Sequence, residues 1–180
     1  MTEILERPTR EAAATQSPVR IRKLGHVVFR VQDVERSIKF YTEILNFRIS
    51  DINEHGMVFF NSCGDHHTVA IAPAAARAEA QQPAREQLGL SHFAMEVASV
   101  DELLEIREFM KTKGVPIRGE GRKGAGCNIG LEFDDPDGYH LELYCNMDQI
   151  GPGNRTRPPE QFRRTNSLEE ARDNPVPATW

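Results

Sequence analysis

The chain has 180 residues, of which 39% are hydrophobic and 27% are charged, and its formal net charge is −5. This length and composition predict one globular domain with a core, and the mild negative charge argues against a nucleic-acid partner. No apolar run of about 18 residues is present to cross a membrane. Three cysteines without paired spacing, and an N-terminus without the apolar core of a signal peptide, predict a cytoplasmic protein.

The first 20 residues are expected to form a flexible segment, and a structured unit begins after them. The stretch "LGHVVFRVQDVERSIKFYTEILNF", from Leu24 to Phe47, indicates a short strand followed by an amphipathic helix. Asp33 is the expected N-cap of this helix. Three strand-like pieces follow it: "FRISDI", "MVFFNS" and "HTVAIAP".

A second segment, "LSHFAMEVASVDELLEIREFMKTKG", repeats this pattern from Leu90 to Gly114. Its "SVDE" has the form of a capping box, and "VPIRGE", "NIGLEF" and "YHLELYC" are the strand-like pieces after it. The repeat predicts an α+β fold of two βαβββ modules, in which His26 and His92 are equivalent. We expect module one at 21–74, a linker at 75–87, module two at 88–148 and a Pro-rich C-terminal extension at 149–180.

The C-terminal extension is expected to hold one short helix, capped by Ser167 with Glu170 reaching back. Its composition leaves three roles open: a disordered tail, a lid over a site, or a strap along a partner subunit.

Alternation along the last strand of module two puts His140, Glu142 and Tyr144 on one face. If this face meets solvent, Glu142 is a solubilising residue; if it faces a cavity, the carboxylate needs a cation or several hydrogen-bond donors. The repeat favours the cation, because it directs His26, His92 and Glu142 toward one centre. The fourth equivalent position holds Ala70. Two histidines and one carboxylate form the facial triad typical of non-haem Fe(II).

These motifs resemble the vicinal oxygen chelate superfamily, whose domains pair two βαβββ modules in one cupped mixed sheet around a metal. The resemblance rests on "LGHVVFRVQDVERSIKFYTEILNF", "LSHFAMEV" and "FDDPDGYHLELY", and it covers about residues 21–148. It implies that His26, His92 and Glu142 are the metal ligands. The superfamily includes extradiol dioxygenases, glyoxalase I, fosfomycin-modifying enzymes, epimerases and metal-free binding proteins.

The stretch "DHHTVAIAP", from Asp65 to Pro73, resembles the extradiol dioxygenases, in which a histidine before this strand is an acid–base catalyst. The resemblance assigns that role to His67, with His66 beside it; the alternative is that both are exposed turn residues. Ala70 stands where glyoxalase I has a second carboxylate.

The expected substrate-binding residues are His66, Lys123, Glu132 and Tyr144. Lys123 and Glu132 stand where many extradiol enzymes have a histidine and a tyrosine, which leaves the substrate open.

The resemblance therefore implies a single-domain extradiol dioxygenase that uses Fe(II), or Mn(II) in its place, to cleave a small aromatic vicinal diol with O2. A homodimer or higher homo-oligomer is expected, without a nucleic-acid or membrane partner. One alternative is a redox-neutral isomerase, epimerase or thiol transferase that uses its metal as a Lewis acid. The other is a binding or resistance protein that sequesters an aromatic compound.

Overall fold

The computed structural model describes residues 23–74, 89–149 and 157–177. Module one contains β1 (Val27–Val31), α1 (Val34–Lys39) with a π-helical turn after it (Phe40–Ile44), β2 (Arg48–Ile52), β3 (Val58–Asn61) and β4 (Val69–Pro73). Module two contains β5 (Phe93–Glu96), α2 (Val100–Thr112), β6 (Ile117–Arg122), β7 (Ile129–Asp134) and β8 (His140–Cys145). The N-terminal segment and the linker predicted at 75–87 lie outside the described residues.

Both modules begin their helix at the predicted cap. Asp33 accepts a hydrogen bond from the Arg36 backbone N–H at 3.0 Å. Ser99 accepts one from the Glu102 N–H at 3.2 Å, and the Glu102 carboxylate accepts the Ala98 N–H at 2.7 Å. Each cap satisfies a backbone donor that the first helical turn leaves unpaired, so both helix starts are local properties of the sequence.

Each module forms its own four-stranded mixed sheet, with strand orders β1-β4-β3-β2 and β5-β8-β7-β6. The first strand of each module runs parallel to the fourth, and the remaining pairs are antiparallel. The register pairs Val28 with Ala70 in module one and Ala94 with Glu142 in module two. The predicted α+β fold of two βαβββ modules is confirmed, and Ala70 and Glu142 occupy equivalent positions.

The two modules meet through aromatic and polar contacts at β1 and the π-helical turn after α1. The Phe29 ring lies 4.6 Å from the Tyr139 ring and 5.7 Å from the Phe93 ring, centroid to centroid. The Tyr41 hydroxyl donates to the Asp135 carboxylate at 3.1 Å in the buried interior. This contact lies away from water, and burial raises the pKa of both the Tyr41 hydroxyl and the Asp135 carboxyl.

The C-terminal extension packs against module two. It contains a 3₁₀ turn (Pro159–Gln161) and α3 (Leu168–Asp173), which has the expected Ser167 cap and contacts α2, β6 and β7. The guanidinium of Arg122, a residue that is 3% exposed, donates to carbonyl oxygens of Arg163, Ala171 and Asn174 at 3.2, 2.6 and 2.8 Å.

This contact lies on the helix side of the module-two sheet. On the helix side of the sheet, Glu120 pairs with the core residue Leu131, and its carboxylate lies 2.9 Å from Arg107 of α2. Glu142 lies on the other face of the sheet, because it alternates along β8 with the core residues Leu141 and Leu143. Within the described residues, α3 therefore packs on the helix side of module two. Within the described ranges, no helix is long and apolar enough to cross a bilayer.

Candidate metal centre

Glu142 lies in the middle of β8 and is buried, with 6% of its surface exposed. Its Oε1 accepts a hydrogen bond from the Asn128 amide at 2.9 Å, and its Oε2 lies 3.6 Å from Nε2 of His92. Burial raises the pKa of the Glu142 carboxyl, and the charge of Glu132 acts in the same direction. Of the two possibilities left open by the sequence, Glu142 is therefore the buried carboxylate, and a buried carboxylate requires a cation or hydrogen-bond donors.

The spacing of His92 and Glu142 suits two ligands of one metal ion. Metal–ligand bonds of roughly 2.0–2.2 Å put two donor atoms of one metal about 3–4 Å apart, depending on the angle between them. The observed separation of 3.6 Å between Nε2 and Oε2 lies within this interval. The side chain of His92 is 44% exposed, so this side of the pair is open to solvent.

A second polar cluster lies next to this pair on the same sheet face. Lys123 forms an ion pair with Glu132, and Nε2 of His140 lies 3.2 Å from the same carboxylate. Burial alone would raise the pKa of Glu132, but Lys123 and His140 outweigh it and hold the pKa below its usual range. Tyr144 is half-buried on the strand that carries His140, and burial raises its pKa.

The cluster is therefore continuous with the candidate ligands, since the His140 ring lies 5.7 Å from the His92 ring, centroid to centroid. Two of the expected substrate-binding residues, Lys123 and Glu132, are already paired with each other.

The remaining predicted site residues lie together in module one. The ring of His26, an exposed residue that directly precedes β1, is 4.6 Å from the ring of His67. His67 is half-buried and packs edge-on against Phe59 at 5.0 Å, while its Nδ1 lies 3.1 Å from Nδ1 of the exposed His66. The expected acid–base residue is thus next to one expected ligand.

The structure does not test the predicted convergence of the two halves of the site. Among the residues that the structure describes, no three histidine, cysteine, aspartate or glutamate side chains are close enough to hold a metal ion. His26 and His92 precede edge strands of two separate sheets, and Val28, on the same face as His26, is 46% exposed. The convergence of His26 with His92 and Glu142 therefore stays a prediction.

Sequence reasoning did not assign two residues that the structure brings to this centre. His140 was visible in the alternation of β8, two residues before Glu142, but it received no role. Asn128 precedes β7 and reaches Glu142 across neighbouring strands, and this contact depends on sheet register. No local pattern around Asn128 signals it.

Comparison with known proteins identifies the family. The model of the glyoxalase/bleomycin resistance protein/dioxygenase superfamily matches residues 23–143. This chain belongs to that superfamily.

Relatives within the superfamily have different named activities. A biphenyl-2,3-diol 1,2-dioxygenase from Metapseudomonas furukawaii is 33% identical, over 78% of this chain and 46% of that protein. Metapyrocatechase 2 from Cupriavidus necator is 29% identical, over 82% and 43% respectively. A probable lactoylglutathione lyase from Vibrio parahaemolyticus is 28% identical, over 69% and 91%. The chain spans less than half the length of the first two of these relatives.

Solved structures share the fold of this chain. A glyoxylase/bleomycin resistance protein/dioxygenase domain from Frankia sp. EAN1pec superposes with a TM-score of 0.60 at 20% identity, over 70% of this chain and 98% of that one. The fosfomycin resistance protein FosX from Listeria monocytogenes superposes with a TM-score of 0.54 at 21% identity, over 69% and 92%.

Proposed function

We propose that this superfamily member is an extradiol dioxygenase that uses Fe(II) and O2 to cleave a small aromatic vicinal diol. The observation that carries the proposal is the contact between His67 and His26, whose rings are 4.6 Å apart. It joins the expected acid–base catalyst to an expected ligand. Two similar proteins named as a biphenyl-2,3-diol dioxygenase and a metapyrocatechase support the same reaction class.

The donor set suits the metal. Two histidines and one carboxylate leave coordination positions open on Fe(II), and the same ligand types accept Mn(II). Fe(II) bound there would supply the positions at which the diol and O2 bind. The spacing of His92 and Glu142, 3.6 Å between Nε2 and Oε2, supports these two residues as ligands, with His26 as the third.

Side chains of the protein would transfer the protons that the reaction requires. A diol binds to a metal through oxygen atoms that lose their protons, and cleavage returns one. An imidazole titrates near neutral pH and can serve both steps. Nδ1 of His67 lies 3.1 Å from His66, which leaves Nε2 as the atom that exchanges the proton with the substrate.

The remaining polar side chains would orient the substrate. Lys123 and His140 hold Glu132 ionised beside the candidate ligands, and Tyr144 follows Glu142 on the same strand face. Groups in this arrangement fix the position of a polar ring rather than react with it.

A second copy of the chain would supply the third ligand. His26 is exposed, and among the described residues it forms no three-residue metal group with His92 and Glu142. His26 of one copy would therefore complete the site of another in a twofold dimer. This arrangement agrees with the predicted homodimer.

Oxygen uptake tests the proposed reaction. Protein loaded with Fe(II) without air is given a panel of simple and aryl-substituted catechols. We expect uptake that matches catechol loss, a yellow ring-fission product, and neither from a Glu142→Ala variant. A His67→Asn variant that retains iron is expected to lose about 100-fold or more of the rate, the usual contribution of an acid–base group. Absence of uptake by protein with stoichiometric iron would refute the proposal.

A redox-neutral metal enzyme is the second candidate. The similarity to a probable lactoylglutathione lyase covers 91% of that protein, which favours this candidate. Ala70 at the position equivalent to Glu142 argues against it, because glyoxalase I has a carboxylate there. This candidate predicts turnover without O2 consumption and without a requirement for ferrous iron.

A further inference from the structure

We propose that Asn128 is a positioning residue, which orients the Glu142 carboxylate so that one of its oxygens faces His92. The inference rests on the proposed metal site and adds a residue that neither the repeat nor the superfamily resemblance assigns. It concerns the binding of the metal itself, so it is testable without knowledge of the substrate.

The two oxygens of Glu142 have different partners. Oε1 accepts a hydrogen bond of 2.9 Å from the amide of Asn128, a residue that is 7% exposed. Oε2 lies 3.6 Å from Nε2 of His92. Within the described part of the chain, the Asn128 amide is the one hydrogen-bond donor to this carboxylate. The amide therefore fixes the rotation of the carboxylate and leaves Oε2 for the metal.

The sheet provides space for this contact at Gly130. Asn128, Gly130 and Glu132 alternate along one face, and the missing side chain of Gly130 opens a path from the amide to Glu142. A Cβ at Gly130 would overlap the carboxylate, with only 3.1 Å to its Cδ. The carboxylate is therefore packed against bare backbone, and Asn128 supplies its polar partner.

The loop that carries Asn128 is held by backbone hydrogen bonds and by contact with the C-terminal extension. The Lys123 N–H donates to the Asn128 carbonyl at 2.9 Å, and the Asp148 N–H donates to the Gly126 carbonyl at 2.8 Å. Arg164 of the C-terminal extension lies directly over Gly124 of this loop, where a side chain would collide with its guanidinium. These contacts hold the amide in place before any metal binds.

A group of this kind raises metal affinity because it removes the cost of orienting a ligand. Substitution of residues that hold a ligand by hydrogen bonds costs 10- to 100-fold in metal affinity or activity, as a rough range. Asn128 donates to the anionic form of Glu142, which is the form that binds a cation. We therefore expect the loss of this amide to fall in that range.

The test is the affinity of the full chain for Mn(II) alone, measured by the electron paramagnetic resonance signal of free Mn(II). We expect Asn128→Leu, which lacks the amide donor at similar size, to bind Mn(II) about 10- to 100-fold more weakly. Asn128→Gln retains an amide and is expected to bind more tightly than Asn128→Leu, which a purely space-filling role does not predict. The control is Asn166→Leu, a change at an exposed asparagine of the extension.

Thermal unfolding of each variant without metal identifies the variants that fold. A folded Asn128→Leu with wild-type Mn(II) affinity would overturn the role of Asn128 while leaving the metal site intact. Equal affinities of Asn128→Gln and Asn128→Leu would also overturn it. Failure of the wild-type chain to bind Mn(II) would instead overturn the proposed site and the positioning role with it.

Discussion

Substitution of Gly130 by alanine tests the packing of the metal centre with one methyl group. A Cβ at this position would lie 3.1 Å from Cδ and 3.3 Å from Cγ of Glu142, and closer still to Oε1. Carbon atoms in contact are ordinarily about 3.5–4.0 Å apart, so the carboxylate has to move by roughly half an ångström or more. Glu142 is buried and cannot swing into solvent without disturbing its strand.

This displacement has two expected energetic consequences. Overpacking of a well-packed position costs about 1–3 kcal/mol of unfolding free energy. The hydrogen bond from Asn128 to Oε1, now 2.9 Å, lengthens or breaks, and Oε2 loses its position beside His92. We expect Mn(II) to bind about 10- to 100-fold more weakly, as for other changes that disturb the support of a ligand.

The assay combines urea unfolding with Mn(II) titration, and Gly119→Ala is the matched control. Its Cβ would lie 3.5 Å from the nearest carboxylate oxygen of Glu132, an ordinary contact distance, on a neighbouring strand of the same sheet. We expect Gly119→Ala to change stability by about 1 kcal/mol or less and to retain Mn(II) affinity. Equal Mn(II) affinities of the two alanine variants would refute the reasoning.

Three further predictions concern the rest of the fold. Asp135→Asn removes a charge that is buried above the pKa of Asp135, which burial raises. In the wild type, the protonated Asp135 side chain contributes its full stability below the unfolded pKa of about 3.9, and this contribution is lost as pH rises through the folded pKa. We expect urea unfolding to show Asp135→Asn gaining stability relative to wild type from pH 3 to pH 7. Arg122→Met removes three hydrogen bonds to the C-terminal extension and is expected to cost about 2–4 kcal/mol in the same assay. Mixing inactive His26→Ala and Glu142→Ala chains is expected to restore oxygen uptake, with about a quarter of the sites intact if two copies share each site.

Each of these predictions has an outcome that contradicts it. A difference between Asp135→Asn and wild type that is constant or shrinks with rising pH would show that the carboxylate is not destabilised by burial. Arg172→Met is the control for Arg122→Met, because the Arg172 side chain is 45% exposed; equal losses in the two variants would exclude a special role for the buried guanidinium. Mixed chains that stay inactive after co-refolding would place all three ligands in one chain.

The local elements of this protein were predictable because their causes lie within a few residues of sequence. Asp33 and Ser99 start their helices through hydrogen bonds to backbone donors three residues away. The repeat also identified the equivalence of Ala70 and Glu142. In the structure each is paired with the residue two positions after the first-strand histidine of its own module. The superfamily and the two modules follow from this internal comparison.

The environment of the candidate ligands was not predictable in the same way. Alternation put Glu142 on a strand face but left its exposure open, because burial depends on what packs over that face. The contact from Asn128 depends on the register between β7 and β8 and on the space above Gly130.

The amino-acid sequence by itself therefore determined the strands, the caps, the duplication and the candidate ligands, since short-range periodicity and hydrogen bonding govern them. Only the tertiary structure decided that Glu142 is buried with the Asn128 amide on one of its oxygens, and that α3 of the C-terminal extension packs against α2, β6 and β7. These features depend on how separate sheets and segments pack, and contacts between residues so distant in sequence leave no local pattern.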